Sequence, residues 1–167
     1  MGLVRAGGQR ENRGLIRTPA DTNGGCIMAA ILNPYLGFRD TARAAMEFYQ
    51  TVFEGTLTIS TFGEAHASDD PNEQDKVMHA QLETARGFTL MASDTPNSMP
   101  WSPESSISVS LSGGADDGDE LRGYWDGLVD GGTITLPLEL APWGDTFGMV
   151  IDRFGTRWMV NIMGAHD

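Results

Sequence analysis

The sequence has a single cysteine, Cys26, in 167 residues. An internal disulfide is excluded, and without CxxC or Cys/His spacing a structural zinc site has no ligands to draw on. So little use of cysteine fits a cytoplasmic location. Long apolar runs are missing too: nothing approaches the roughly 18 to 20 residues of a membrane-spanning helix, so no membrane partner is expected. Basic residues are scarce. Lys and Arg number 11 against 23 Asp and Glu, a net charge of −12, and nucleic acid or an anionic bilayer would be repelled. Histidine occurs only at His66, His79 and His166. No serine stands in a glycine elbow and no Cys/His pair exists, so covalent catalysis has no sequence support.

Glycine is plentiful, at 21 residues, which suits short strands and tight turns. The length is that of one domain. Residues 1–28 read as a disordered or extended tail: Arg5, Arg10, Arg13 and Arg17 stand among glycines and polar residues without apolar periodicity. Such a segment resembles a targeting leader, but a translation start at Met28 accounts for it more simply. Residues 1–27 are net +2, which leaves −14 on the rest. Residues 29–165 are expected to form the domain.

Within it, an apolar strand from Ile31 to Phe38 leads to Asp40, a candidate N-cap for a helix over Thr41–Phe53 with Ala45, Phe48, Tyr49, Val52 and Phe53 on one face. Thr56–Phe62 alternates as a strand, and residues 63–76 form an acidic loop without the register of a calcium site. Val77–Glu83 and Phe88–Ala92 make a hairpin, Met78, Ala80 and Leu82 on one face and His79 and Gln81 on the other. Residues 94–104 form a proline-rich linker carrying Trp101. A strand follows over Ser106–Ser112, with Ile107, Val109 and Leu111 inward, then a second helix to Asp130 in which Leu121, Tyr124, Trp125, Leu128 and Val129 match the helical template. Thr133–Leu140 alternates with Ile134, Leu136 and Leu138 on one face, and a last hairpin runs from Phe147 to Ile162 around Asp152–Gly155.

The order strand, helix, three strands therefore occurs twice. Phe48-Tyr49 corresponds to Tyr124-Trp125, Gly55–Ile59 to Gly132–Leu136, and Gly87 with Met91 to Gly155 with Met159. The fold class is α+β: two tandem βαβββ modules, about residues 31–94 and 105–163, whose curved mixed sheets surround a cleft.

With Asn33-Pro34-Tyr35-Leu36-Gly37-Phe38, Met78-His79-Ala80-Gln81-Leu82, Pro142-Trp143-Gly144-Asp145 and Asp152–Trp158, these modules resemble the vicinal oxygen chelate superfamily of glyoxalase I, extradiol dioxygenases and bleomycin resistance proteins. The wording is most similar to its PhnB-like, demethylubiquinone methyltransferase-like branch. No glycine-rich strand-to-helix loop accompanies the methyltransferase label. The resemblance implies a divalent metal held by His or Glu from the first and last strand of each module. Here it places Met91 and Met159 at the last-strand positions, and Asn33 or Pro34 and Ser106 or Ile107 at the first-strand ones. A thioether suits such ions poorly, so neither metal nor other cofactor is expected. The resemblance also implies a homodimer.

The expected function is to bind or transform a small molecule without the usual metal. His79 is the candidate acid or base. Trp101 and Trp143 would wall the cavity, with His79, Asp145 and Asn161 as polar handles. Two alternatives stand beside this: a dimer sequestering a cationic drug in an acidic cleft, and a metal-dependent glyoxalase or dioxygenase.

Overall fold

The computed structural model describes residues 30–164, so the expectations for residues 1–28 lie outside the described residues. Everything below belongs to the unit that begins at Leu32. The first module comprises β1 (Tyr35–Phe38), α1 (Ala42–Phe53), β2 (Thr56–Thr61), β3 (Val77–Glu83) and β4 (Thr89–Asp94). The second comprises β5 (Val109–Gly113), α2 (Gly118–Val129), β6 (Thr133–Leu140), β7 (Thr146–Ile151) and β8 (Arg157–Ile162), with one 3-10 turn at Ala115–Asp117 before α2.

The two four-stranded sheets have the orders β1-β4-β3-β2 and β5-β8-β7-β6. In each, the first strand pairs parallel with the last, and the remaining pairs are antiparallel. The repeat read from the sequence is therefore a repeat of topology. Each sheet buries one face against helix: Ala80, Leu82, Leu90 and Ala92 on the face that α1 covers, and Leu111, Val150 and Val160 on the face that α2 covers. The Trp158 ring of the second sheet packs instead on Tyr49 and Phe53 of α1, at 5.5 and 5.3 Å. Phe53 meets Tyr124 edge-on at 5.1 Å, and a Cβ on Gly127 would lie 3.0 Å from Val52, so the two helices touch closely. Gly148 has a similar role in the second sheet: a Cβ there would meet the Leu138 backbone at 2.8 Å and the Trp125 ring at 2.9 Å.

Several local expectations need correction. Asp40 does not cap α1. It sits at φ 68° and pairs with Lys76 at 2.6 Å, while Asp94 at the end of β4 accepts from Ala42 N–H at 3.0 Å. The first strands are shorter than expected: β1 lacks residues 31–34, and Ile107, expected inward, is 73% exposed ahead of β5. β4 extends to Asp94 rather than ending at Ala92. A register shift at Ser60/Thr61 leaves Val77, not Met78, as the buried residue at the start of β3. Ile134 and Leu136 are exposed, because β6 is an outer strand bearing two irregularities and Pro137, a residue an outer strand tolerates.

Candidate functional site

β1 and β5 are outer strands of their sheets, each with a free edge. Between them opens a cavity of 570 Å³ lined by residues 32–38, the linker at Trp101–Pro103 and Ser105, residues 107–110, and the β7–β8 turn at 154–157. Its walls are apolar and aromatic, from Tyr35, Leu36, Phe38, Trp101, Val109 and Phe154, interrupted by serine hydroxyls, as small-molecule sites commonly are. The linker is pinned across β1 by two bonds: Trp101 Nε1 donates to Gly37 O at 3.2 Å and Arg39 Nη2 to Met99 O at 2.8 Å.

Met91 and Met159 lie on the sheet faces turned away from the helices. β1 and β4 align Tyr35 with Met91, and β5 and β8 align Ser110 with Met159. The Met91 and Met159 thioethers suit a hard or borderline divalent ion poorly, and among the described residues no three His, Cys, Asp or Glu side chains cluster for one. No step is assigned to a metal.

The five residues singled out by sequence divide into two groups. Trp101 lines the cavity, and His79 reaches it through Tyr35, whose hydroxyl lies 3.2 Å from His79 Nδ1 with the rings 5.8 Å apart. Which partner holds the shared proton follows the imidazole tautomer. This pair is the candidate acid–base unit. The other three lie at the far end of the second sheet, outside the cavity lining. Trp143 is 58% exposed and packs on Phe147 at 5.7 Å. Asp145 accepts from Asn161 Nδ2 and from Gly164 N–H, both at 3.0 Å, which ties the β6–β7 connection to the end of β8. Tyr35, Ser108, Phe154 and Arg157 were not singled out from the sequence as site residues, although Tyr35, Phe154 and Arg157 all belong to the quoted family motifs. What was missing was the meeting of β1 with β5, which no local pattern encodes.

Buried carboxylates hold the cavity's surroundings in place. Asp152 is 4% exposed and accepts four bonds: Oδ1 from Phe154 N–H at 2.8 Å and Thr156 N–H at 3.0 Å, Oδ2 from Tyr49 O–H at 2.7 Å and Trp158 Nε1–H at 2.8 Å. The turn that carries Phe154 and Arg157 into the cavity is thereby fixed to α1 and to the core. Burial, aided by the Asp152 charge, pushes the Tyr49 phenol far above its usual range, so it stays a donor. Glu73 accepts from Ser68 Oγ at 2.6 Å and Asn97 N–H at 2.5 Å, which joins the acidic loop to the linker and holds its carboxyl below the usual range.

Comparison with known proteins bears on the same unit. The family model described as 3-demethylubiquinone-9 3-methyltransferase matches residues 30–161. Protein PA1353 from Pseudomonas aeruginosa is 34% identical, with a TM-score of 0.71 over 82% of this chain and 100% of that one. Two more distant structures share the fold alone. A putative 3-demethylubiquinone-9 3-methyltransferase, PhnB protein, from Bacillus cereus is 23% identical, covering 78% and 98% of the two chains at a TM-score of 0.60. A glyoxylase/bleomycin resistance protein/dioxygenase domain from Frankia sp. EAN1pec is 11% identical, covering 84% and 96% at a TM-score of 0.56.

Proposed function

Since the chain belongs to the PhnB-like, 3-demethylubiquinone-9 3-methyltransferase family, we propose that it binds or transforms a small molecule in the cavity between β1 and β5 without the superfamily's usual metal. The observation that carries this reading is the 570 Å³ cavity itself, walled by Tyr35, Trp101 and Phe154 and backed by the Tyr35–His79 pair. That volume accommodates a ligand of metabolite size. If the protein is catalytic, the pair moves a proton: the Tyr35 phenol lines the cavity and lies within hydrogen-bond reach of His79 Nδ1.

Methyl transfer, the activity in the family's name, gains no support from the chain. β1 reaches α1 through Arg39, Asp40 and Thr41 without a glycine. The β5–α2 connection, which carries Gly113, Gly114 and Gly118, also brings Asp116 and Asp117 to the helix start in a largely antiparallel sheet, unlike the parallel βαβ turn that receives a nucleotide-like methyl donor. A homodimer in the cytoplasm completes the proposal. Ile134, Leu136, Leu140 and Trp143 expose an apolar row along the outer strand β6 and the turn after it, and such rows on outer strands invite pairing.

Screening a metabolite library by intrinsic tryptophan fluorescence tests the binding claim. Saturable quenching lost in Trp101→Phe supports it, whereas a library without any saturating compound contradicts it. Elemental analysis of the purified protein tests the metal claim, since a stoichiometric, tightly held divalent ion would overturn it.

A further inference from the structure

The cavity has a charge opposite to that of the protein. Of the residues lining it, Arg157 is the only charged one, and no Asp or Glu lines it, although the chain as a whole carries −12. Arg157 is exposed at the start of β8 and has no ion-pair partner among the described residues. Lys76, Arg86 and Arg153 are engaged with carboxylates and Arg39 with the Met99 carbonyl, while Arg43 and Arg122, which also lack an ion pair, lie outside the cavity lining. The Arg157 backbone is not free to wander: the Asp152 bonds to Phe154 and Thr156 fix the turn immediately before it.

The serines of the wall have a complementary polarity. Ser102 Oγ accepts from Glu104 N–H at 3.2 Å and Ser105 Oγ from Ile107 N–H at 3.1 Å. A hydroxyl whose oxygen is engaged in this way has its own hydrogen left to donate. The site therefore offers a guanidinium and hydroxyl donors beside aromatic walls. A cationic ligand would meet like charge and find no carboxylate there. Repulsion from the distant acidic surface is screened within about 8 Å at physiological ionic strength, so the contact charge decides the preference.

From this geometry we infer that the cavity selects a small anion, a carboxylate or similar group carried on an aromatic or apolar body, with Arg157 reading the charge and Tyr35, Trp101 and Phe154 the body. The inference rests on the cavity being the binding site and adds the sign of its ligand. It runs against capture of a cationic drug, which the overall acidity alone would favour.

Three probes of one shape test it by calorimetry on the full chain: 2-naphthylacetate, the neutral 2-naphthylacetamide, and the cationic 2-(2-naphthyl)ethylamine. The acetate is expected to bind about tenfold more tightly than the amide, the scale of one charge-assisted hydrogen bond at a partly exposed site, and the amine more weakly than either. Arg157→Gln should bring acetate affinity down to that of the amide, and Arg157→Lys should keep most of the preference. Equal binding of all three would overturn the charge assignment while leaving the cavity as the binding site. A preference for the amine, or one for the acetate that survives Arg157→Gln, would also overturn it. If none of the three binds at millimolar concentration, the inference and the cavity reading both fall.

Discussion

At the scale of single residues, the second module depends on Asp152, a charge taken out of water only because four donors surround it. Removing one donor leaves part of that charge unsatisfied. Tyr49→Phe is expected to cost about 2 kcal/mol, the range for a hydrogen bond to a charged group, read as a lower urea midpoint with unchanged slope. Glu120 supplies a pH signature. Hydrogen bonds from Arg86 and then from Tyr124 lower its carboxyl from 4.5 to about 2. A carboxyl depressed in the folded state stabilises it above the unfolded value and loses that contribution as pH falls toward the folded one. The melting-temperature advantage of the protein over Glu120→Gln should thus be present at pH 7 and vanish between about pH 4.5 and about pH 2. An advantage independent of pH would mean that charge is not its source. The effect should be small, since Arg86 is half exposed. Neither role was legible in the sequence. A turn aspartate and a buried acceptor look alike until the chain folds, and Arg86 meets Glu120 only across 34 residues.

At the scale of elements, helices and central strands follow from periodicity because each buries one face against a neighbour. The apolar stripe of α2 needed no tertiary information. Helix starts and outer strands did not follow so well. The cap of α1 comes from Asp94, which is 52 residues away along the chain from Ala42, whereas local reading favours the adjacent Asp40. The two substitutions separate the roles. Asp94→Ala strands the buried N–H groups of Ala42 and Val77 and should cost about 3 kcal/mol. Asp40→Asn, which keeps a side chain suited to φ 68°, removes only the ion pair with Lys76, whose Nζ retains its bond to Asn97 Oδ1, and should cost about 1 kcal/mol. Equal losses in urea titrations would contradict this account of the cap. Gly148→Ala should likewise destabilise by about 1–3 kcal/mol, because the new methyl would have to displace both the Leu138 backbone and the Trp125 ring.

For the whole molecule, the repeat was legible because both modules obey one topology, and Met91 and Met159 occupy equivalent places beside the first strands. The cavity was not, since it forms where two sheet edges approach each other and depends on the linker that carries Trp101. Trp143 belongs to the same family motif as Asp145, yet it lies on the surface against Phe147. If the β6 face pairs two copies, sedimentation should find a dimer at micromolar concentration and a monomer for the Leu136→Glu/Leu140→Glu double variant. A wild-type monomer would contradict that pairing. The central claim, a ligand held between β1 and β5 without metal, is tested most directly by NMR of the four tryptophan indole N–H groups in chelator-treated protein titrated with 2-naphthylacetate. The account predicts a saturable shift of the Trp101 resonance while Trp143 stays in place. A shift of Trp143 instead, or one at Trp101 that appears only after a divalent ion is added, would contradict it.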